Sequence, residues 1–271
     1  MKTTKTSSLL SQTTLLLTTA IGAASFALLA GAEAATALTI FFDSTSTSTN
    51  NPPTGASAEV DFSFTDGTGG VQLDLTLTNT TNQLDTPFGE GATDSEFVAF
   101  GFDLPSLISS YTYDNLGSPF TRLFGDASLN ATVEGDALIN GAGGQNEFDI
   151  GIRVPGTGGN PSAGGFQGGN PNGGLNPEES TLVSFFLDTT SNAQQVEEAF
   201  KNLFNGEEFR AVARFQAVDG PGFSGASDKL LVNTLPEDGG GDSTKVPEPA
   251  SLAGLALVGA ALAGARRRHS H

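Results

Sequence analysis

The sequence predicts a mainly β protein, an antiparallel β-sandwich of jelly-roll or immunoglobulin-like type with one amphipathic helix near 192–205. Three observations predict it. Apolar and polar residues alternate with a period of two along several short segments, which turns one face of each towards a core and the other towards water. Gly, Pro, Asn and Asp cluster between those segments, as tight antiparallel connections require. Within the body of the chain, one stretch repeats apolar residues at helical spacing.

Residues 37–42 read as the first strand. The Ser, Thr, Asn and Pro tract at 44–53 has nothing apolar to bury and reads as a loop or spacer. Next, Ala58, Val60, Phe62 and Phe64 face one way while Glu59, Asp61 and Ser63 face the other. After the Gly-rich turn at 66–70, Val71, Leu73, Leu75 and Leu77 continue the pattern, so the two runs form a half-buried hairpin. A long loop is expected at 79–95, then a strand at 96–104 with Val98, Phe100, Phe102 and Leu104 on one face. Further strands are expected near 109–113, 128–133 and 148–154, the last alternating Phe148, Ile150, Ile152 and Val154 with Asp149, Gly151 and Arg153.

Residues 155–177 are dominated by Gly, Asn and Pro and read as an extended surface loop. No Gly-Lys-Ser/Thr follows and no helix opens from it, so it is no phosphate cradle. After a strand at 181–187, Ser191 is the expected N-cap with Gln194 three residues on. Val196, Ala199, Phe200, Leu203 and Phe204 then share a face until Gly206 ends the helix. A strand at 209–218 places Arg210 and Arg214 together, where carboxylates are expected to meet them. A short strand at 229–232 closes the domain.

The N-terminus carries Lys2 and Lys5, an apolar stretch at 15–30 and Ala32-Glu33-Ala34. This is the pattern of a signal peptide over 1–34, with Ala32 and Ala34 marking cleavage. A β-sandwich domain at 35–236 and an acidic Gly-rich linker at 237–245 follow. Two of the twelve Lys and Arg fall in the leader and three in the tail, and Glu33 and Glu248 are two of the thirty acids. The body between them keeps seven cations against 28 acids, a charge near −21. Such a body repels nucleic acid and anionic lipid and stays soluble.

The chain has no cysteine, which removes disulfides, thiol nucleophiles and thiolate metal sites. Its two histidines, His269 and His271, lie at the extreme C-terminus. The body therefore has no imidazole for a Ser-His-Asp triad or for a zinc or copper site, and no catalytic residue is assigned. The protein reads as a non-enzyme.

The last 26 residues, 246–271, combine three physical elements. Val246-Pro247-Glu248-Pro249 holds the chain extended, because the prolines keep a helix from starting there. The apolar run at 250–265 has sixteen residues, which as a helix span ~24 Å against a hydrocarbon core of ~30 Å. Arg266, Arg267 and Arg268 close the segment and hold its end on the cytoplasmic side, which puts the body outside the cytoplasm.

This tail resembles the PEP-CTERM sorting signal of bacterial exported proteins at Val246 to Pro249 and at Arg266 to Arg268. The resemblance implies an exosortase-type processing enzyme as partner. It also implies membrane attachment through the short C-terminal helix before processing, and release towards the cell surface, the medium or the exopolysaccharide. The body resembles the cistern group of such proteins in Gly101-Phe102-Asp103, Gly168-Gly169-Asn170 and Arg214-Phe215-Gln216, and differs from it in lacking cysteine. That group supplies no catalytic residue.

Two classes of function fit. The first is a structural or interaction protein of the envelope or extracellular matrix. The second is a carbohydrate-binding or calcium-dependent polysaccharide-associated module. Sugar platforms favour Trp and Tyr, and the chain has no Trp and only Tyr111 and Tyr113, while its twenty Phe read as core. No cofactor is called for. Calcium is the one cation that suits the oxygen-rich chain, with Glu90, Asp94 and Glu96, or Asn146, Glu147 and Asp149, as candidate ligands without EF-hand spacing. Asn79-Thr80-Thr81 and Asn130-Ala131-Thr132 match glycosylation acceptors.

Overall fold

A computed structural model describes residues 36–141, 144–157, 166, 170–171, 173–206, 208–232 and 235. In chain order the strands are β1 (Thr36–Phe42), β2 (Thr47–Ser48), β3 (Ala58–Gly67), β4 (Gly70–Asn79), β5 (Asp94–Phe102), β6 (Ser110–Asp114), β7 (Arg122–Gly125), β8 (Ala137–Gly141), β9 (Gly144–Phe148) and β10 (Ile150–Arg153). They continue with β11 (Gly156–Thr157), β12 (Asn170–Pro171), β13 (Ser180–Asp188), the helix α1 (Ala193–Phe204), β14 (Ala211–Gly220) and β15 (Phe223–Val232). One sheet has the order β1-β3-β4-β13-β6, and the other β2-β15-β14-β5-β10-β7. All pairings are antiparallel.

The two sheets face each other across one apolar core, the sandwich that period-two alternation demands. Leu38, Ile40, Val60, Phe62, Leu73, Leu75 and Phe185 come from the five-stranded sheet, and Phe100, Phe102, Ile150, Ala213 and Leu230 from the six-stranded one. Phenylalanine rings knit the layers edge to face, with Phe62 at 5.6 Å from Phe102 and 6.2 Å from Phe100. Helix α1 adds Phe200 and Phe204 to the same cluster, Phe200 lying 5.8 Å from Phe62 and 6.3 Å from Phe102. The helix thus reaches rings of both sheets.

Most of the expected elements are present: the first strand, the 58–79 hairpin, β5, β6, β13, α1 and β14. Besides β7 and β8, which are not among the expected strands, five details differ. The helix cap is Asn192, whose side chain accepts from Gln195 N–H while Gln195 reaches back, one residue beyond the expected Ser191 and Gln194 pair. The 44–53 tract is fastened to the domain, because β2 pairs with β15 and the buried Asp228 carboxylate accepts from Ser48 Oγ, Thr54 N–H and Thr54 Oγ1. Hydrogen bonding holds it where apolar burial is lacking.

No strand forms at 128–133. Asp126 and Asn130 accept from the N–H groups two residues on, Ser128 and Thr132, and these local turns outcompete a ladder. The 148–154 strand breaks at Asp149, whose carboxylate accepts from Leu104 N–H at 2.8 Å. Phe148 is thereby turned away from the core that Ile150 and Ile152 enter. Finally, β15 begins at Phe223 rather than 229, since its first half is half-buried or exposed and has no alternation to reveal it.

A second, smaller core covers the outer face of the six-stranded sheet. Ala99, Phe124, Val212 and Leu231 of that sheet pack under Ala137, Ile139 and Phe148 of the β8–β9 hairpin and under Phe166. The floor is made by Gly101 and Gly151, which are directly paired in register. A Cβ at Gly151 would stand 2.9 Å from the Phe166 ring and 2.8 Å from Ala137 Cβ, so the two glycines let the ring lie on the backbone.

Candidate functional site

The sorting residues Val246, Pro247, Glu248 and Pro249, the basic stop Arg266, Arg267 and Arg268, and the cleavage residues Ala32 and Ala34 all lie outside the described residues, as do the linker and the apolar run. Among the described residues no helix is long and apolar enough to cross a membrane. What the structure does assemble lies on and beside the six-stranded sheet.

Register places Lys229 opposite Arg214, Arg214 opposite Ala99, Ala99 opposite Arg153 and Arg153 opposite Arg122. Four of the body's seven cations therefore stand on one line across five adjacent strands. They share a face because each alternates with residues that enter the main core: Leu123, Ile152, Phe100, Ala213 and Leu230. Next to this line runs the small outer core, so the middle of the row is dry: Arg153 is 6% exposed and Arg214 5%.

The four differ in how they are compensated. Arg122 pairs with Glu134 and, at 5.8 Å, stands over the Phe124 ring, which Arg153 also approaches at 5.2 Å. Lys229 Nζ donates to the Asn140 carbonyl at 3.1 Å. Arg214 Nη1 donates to the Phe166 carbonyl at 3.4 Å, and its Nε is buried without an acceptor among the described residues. Burial, and then repulsion from Arg153, pushes Arg214 down to about 10, so it remains charged at neutral pH. Burial likewise lowers Lys229, with Arg214 adding to it. Among the described residues Arg214 meets no carboxylate, contrary to expectation, and its strand neighbours on this face are Ala99 and Lys229.

Arg210 does meet carboxylates. Its Nη1 donates to Asp103 Oδ2 at 2.9 Å and its Nη2 reaches Glu208 at 2.5 Å. Asp103 and Asp149 sit together here: Asp103 Oδ1 accepts from Asp149 N–H at 3.3 Å, and Asp149 Oδ2 from Leu104 N–H. Burial drives Asp103 up to about 6; Arg210's hydrogen bond opposes that shift and Asp149's charge adds to it. Burial also raises Asp149, and the adjacent Tyr111, whose hydroxyl is buried without a partner among the described residues. Asp103 is thus the member of the cluster whose proton is held up to about 6. The cluster's carboxylate oxygens are engaged by backbone N–H groups and by Arg210, so it fixes the end of β5 to the start of β10.

Neither calcium candidate forms a cluster. Glu90 lies in a turn, its N–H bonded to Pro53, while Asp94 pairs in register with Asp219 and Glu96 with Gln216. Asn146 and Glu147 belong to β9, whereas Asp149 points to Leu104. Among the described residues no three acids, His or Cys stand close enough to hold a metal ion. Asn79 is fully buried and donates to Ser95 and Leu175 carbonyls, which closes it to glycosylation in the fold. Both tyrosines pack on Phe185, at 6.0 Å for Tyr111 and 4.9 Å for Tyr113, so neither is free to stack on a sugar. An apolar groove of about 280 Å³ beside Leu84, Phe88 and Pro221 has no titratable side chain in its lining. Comparison with family models, curated proteins and solved structures finds no match for this chain.

Proposed function

We propose that this chain is an exported bacterial envelope or extracellular-matrix protein with a structural or interaction role, sorted through its C-terminal tail and without enzymatic activity. The observation that carries this reading is the tail, where an extended Pro-Glu-Pro strap, a marginal apolar run and three arginines follow one another in that order. A body held together by a phenylalanine-rich core, with no cysteine and no imidazole, agrees with a durable scaffold. An exosortase-type enzyme would act on the strap while the run at 250–265 keeps it at the membrane.

The test is to replace Pro247, Glu248 and Pro249 with Ala. Export and membrane insertion are expected to continue while release stops, so that immunoblots show full-length protein accumulating in the membrane fraction. If the tail were a plain anchor, this variant would fractionate as the wild type does, and the sorting reading would fall. Replacing Arg266, Arg267 and Arg268 with Ser is expected to weaken retention, since the short run then lacks its stop.

A further inference from the structure

We propose that the outer face of the five-stranded sheet binds an extended neutral polysaccharide, with the Phe186 ring as its central contact and Phe41 and Leu182 as the outlying ones. This names a partner for the interaction role proposed above, and it rests on that reading only for the setting, outside the cytoplasm, in which such a chain is met.

The first argument is the placement of phenylalanine. Every other phenylalanine among the described residues lies in one of the two apolar cores or packs against it, whereas Phe41 and Phe186 belong to neither. Both stand on this face, Phe41 39% exposed and Phe186 half-buried, and Leu182, 44% exposed, stands there too. Phe186 does not stand upright. A Cβ at Gly70, on the next strand, would lie 3.0 Å from Cε1 and Cζ of its ring, and one at Gly67, on the strand beyond, 2.8 Å from Cε2. The ring therefore lies across the sheet on ground that two glycines leave free, and part of it stays in contact with water.

The second argument is polarity. Register sets Thr65, Gln72, Phe186 and Thr112 side by side, and next to them Ser63, Asp74, Ser184 and Asp114. Carboxylates of this face are held by hydroxyls of adjacent strands: Thr39 donates to Asp61 at 2.6 Å, Ser184 to Asp74 and Ser110 to Asp188. Gln72 Nε2 donates to Ser184 and, at 3.3 Å, to Asp74. Fixed acceptors and hydroxyls around an aromatic ring suit a pyranose, whose C–H face rests on the ring while its hydroxyls reach the polar neighbours.

The third argument is extent and charge. Leu182 and Phe186 are four residues apart on one strand, ~13 Å, and Phe41 lies three strand spacings from β13, ~14 Å. Polar residues separate the three, so they do not merge into the continuous apolar centre of a protein interface. A polysaccharide, which repeats small C–H faces between hydroxyls, meets them one at a time. No Lys or Arg occurs in β1, β3, β4, β13 or β6, while Arg122, Arg153, Arg214 and Lys229 all belong to the other sheet. A face with carboxylates and no cation repels an acidic polysaccharide and leaves a neutral one as the fitting occupant.

The test is calorimetric titration of the full chain, held in a detergent without a sugar headgroup, with neutral hexaoses of β-linked glucose, α-linked glucose, mannose and galactose. Hexagalacturonate and a hexalysine peptide serve as the acidic and cationic comparisons. A saturable response to at least one neutral oligomer at millimolar concentration or below is expected, with hexagalacturonate weaker by about tenfold or more. Phe186→Ala is expected to lower affinity by about tenfold, the loss of one stacked ring. Because that ring also covers Gly67 and Gly70, Phe41→Ala is the second variant, expected to bind several-fold more weakly with an unchanged melting temperature. Leu84→Ala, which removes a comparably exposed apolar side chain elsewhere, should bind as wild type does. The proposal is overturned if no neutral oligomer gives a saturable response, if hexagalacturonate binds as tightly as the neutral chain, or if Phe186→Ala and Phe41→Ala both bind as wild type does. Binding of hexalysine with the neutral oligomers silent overturns it too, and would make the face a dock for a cationic protein segment. None of these results touches the fractionation of the variant at Pro247, Glu248 and Pro249, so the two readings fail separately.

Discussion

At the scale of single residues, burial decides more than charge pairing does. Asp103 has an arginine at 2.9 Å, yet loss of water still holds its carboxyl at about 6, above the ordinary carboxylate value. A carboxyl whose folded pKa is raised binds its proton more tightly in the fold than in the unfolded chain. Its contribution to stability is therefore complete below about pH 4 and is lost as the pH climbs through 6. Asp103→Asn, neutral throughout, is expected to match wild type near pH 4 and to exceed it by ~2 kcal/mol at pH 7. Urea melts of both proteins across that window would show the difference growing with pH; a difference that shrinks would mean that the Arg210 pair outweighs burial.

At the scale of elements, α1 shows how local signals and tertiary packing divide the work. The capping box of Asn192 and Gln195 satisfies two N–H groups at its start, and Phe200 and Phe204 carry it into the core between the sheets. Asn192→Ala is expected to cost ~1 kcal/mol and Phe200→Ala ~4 kcal/mol, the cap being a surface bond and the ring a fully buried volume. Chemical denaturation measures both, and equal costs would mean that the helix is docked by its end rather than its face. The strand β15 is the opposite case. Its Phe223–Asp228 half has no apolar period, so only pairing with β14 makes it a strand.

At the scale of the whole molecule, one main core between the sheets, under a strongly acidic surface, sets the behaviour. A polypeptide of residues 35–242 is expected to unfold in one cooperative step with a β-type circular dichroism spectrum, since the rings of both sheets and of α1 belong to a single cluster. Its melting temperature is expected to rise as sodium chloride goes from ~0.05 to ~0.5 M, because salt screens the self-repulsion of a body near −21. A melt in two separate steps would show that the helix or the outer hairpin unfolds apart from the sandwich, and a salt-independent melt would mean that the acids are too dispersed to repel.

The sequence alone determined the fold class, the position of the helix and the faces of the main strands. Val60, Phe62 and Phe64, or Val71, Leu73 and Leu75, can satisfy a period of two in only one way when one side must be dry. It was equally decisive about chemistry that needs particular residues, because a body without cysteine or histidine has its mechanisms narrowed by composition. Alternation also put Arg153 and Arg214 on the non-core side of their strands, where Arg214 is expected to meet a carboxylate. Only the tertiary structure decided otherwise. Which strands lie side by side, and in what register, depends on contacts between residues far apart in the chain, and that register aligns Lys229, Arg214, Ala99, Arg153 and Arg122. The same holds for burial: the face labelled polar by its period became dry when Gly101 and Gly151 left room for Phe166 and the β8–β9 hairpin closed over it, and no local pattern encodes a cover that comes from elsewhere in the chain.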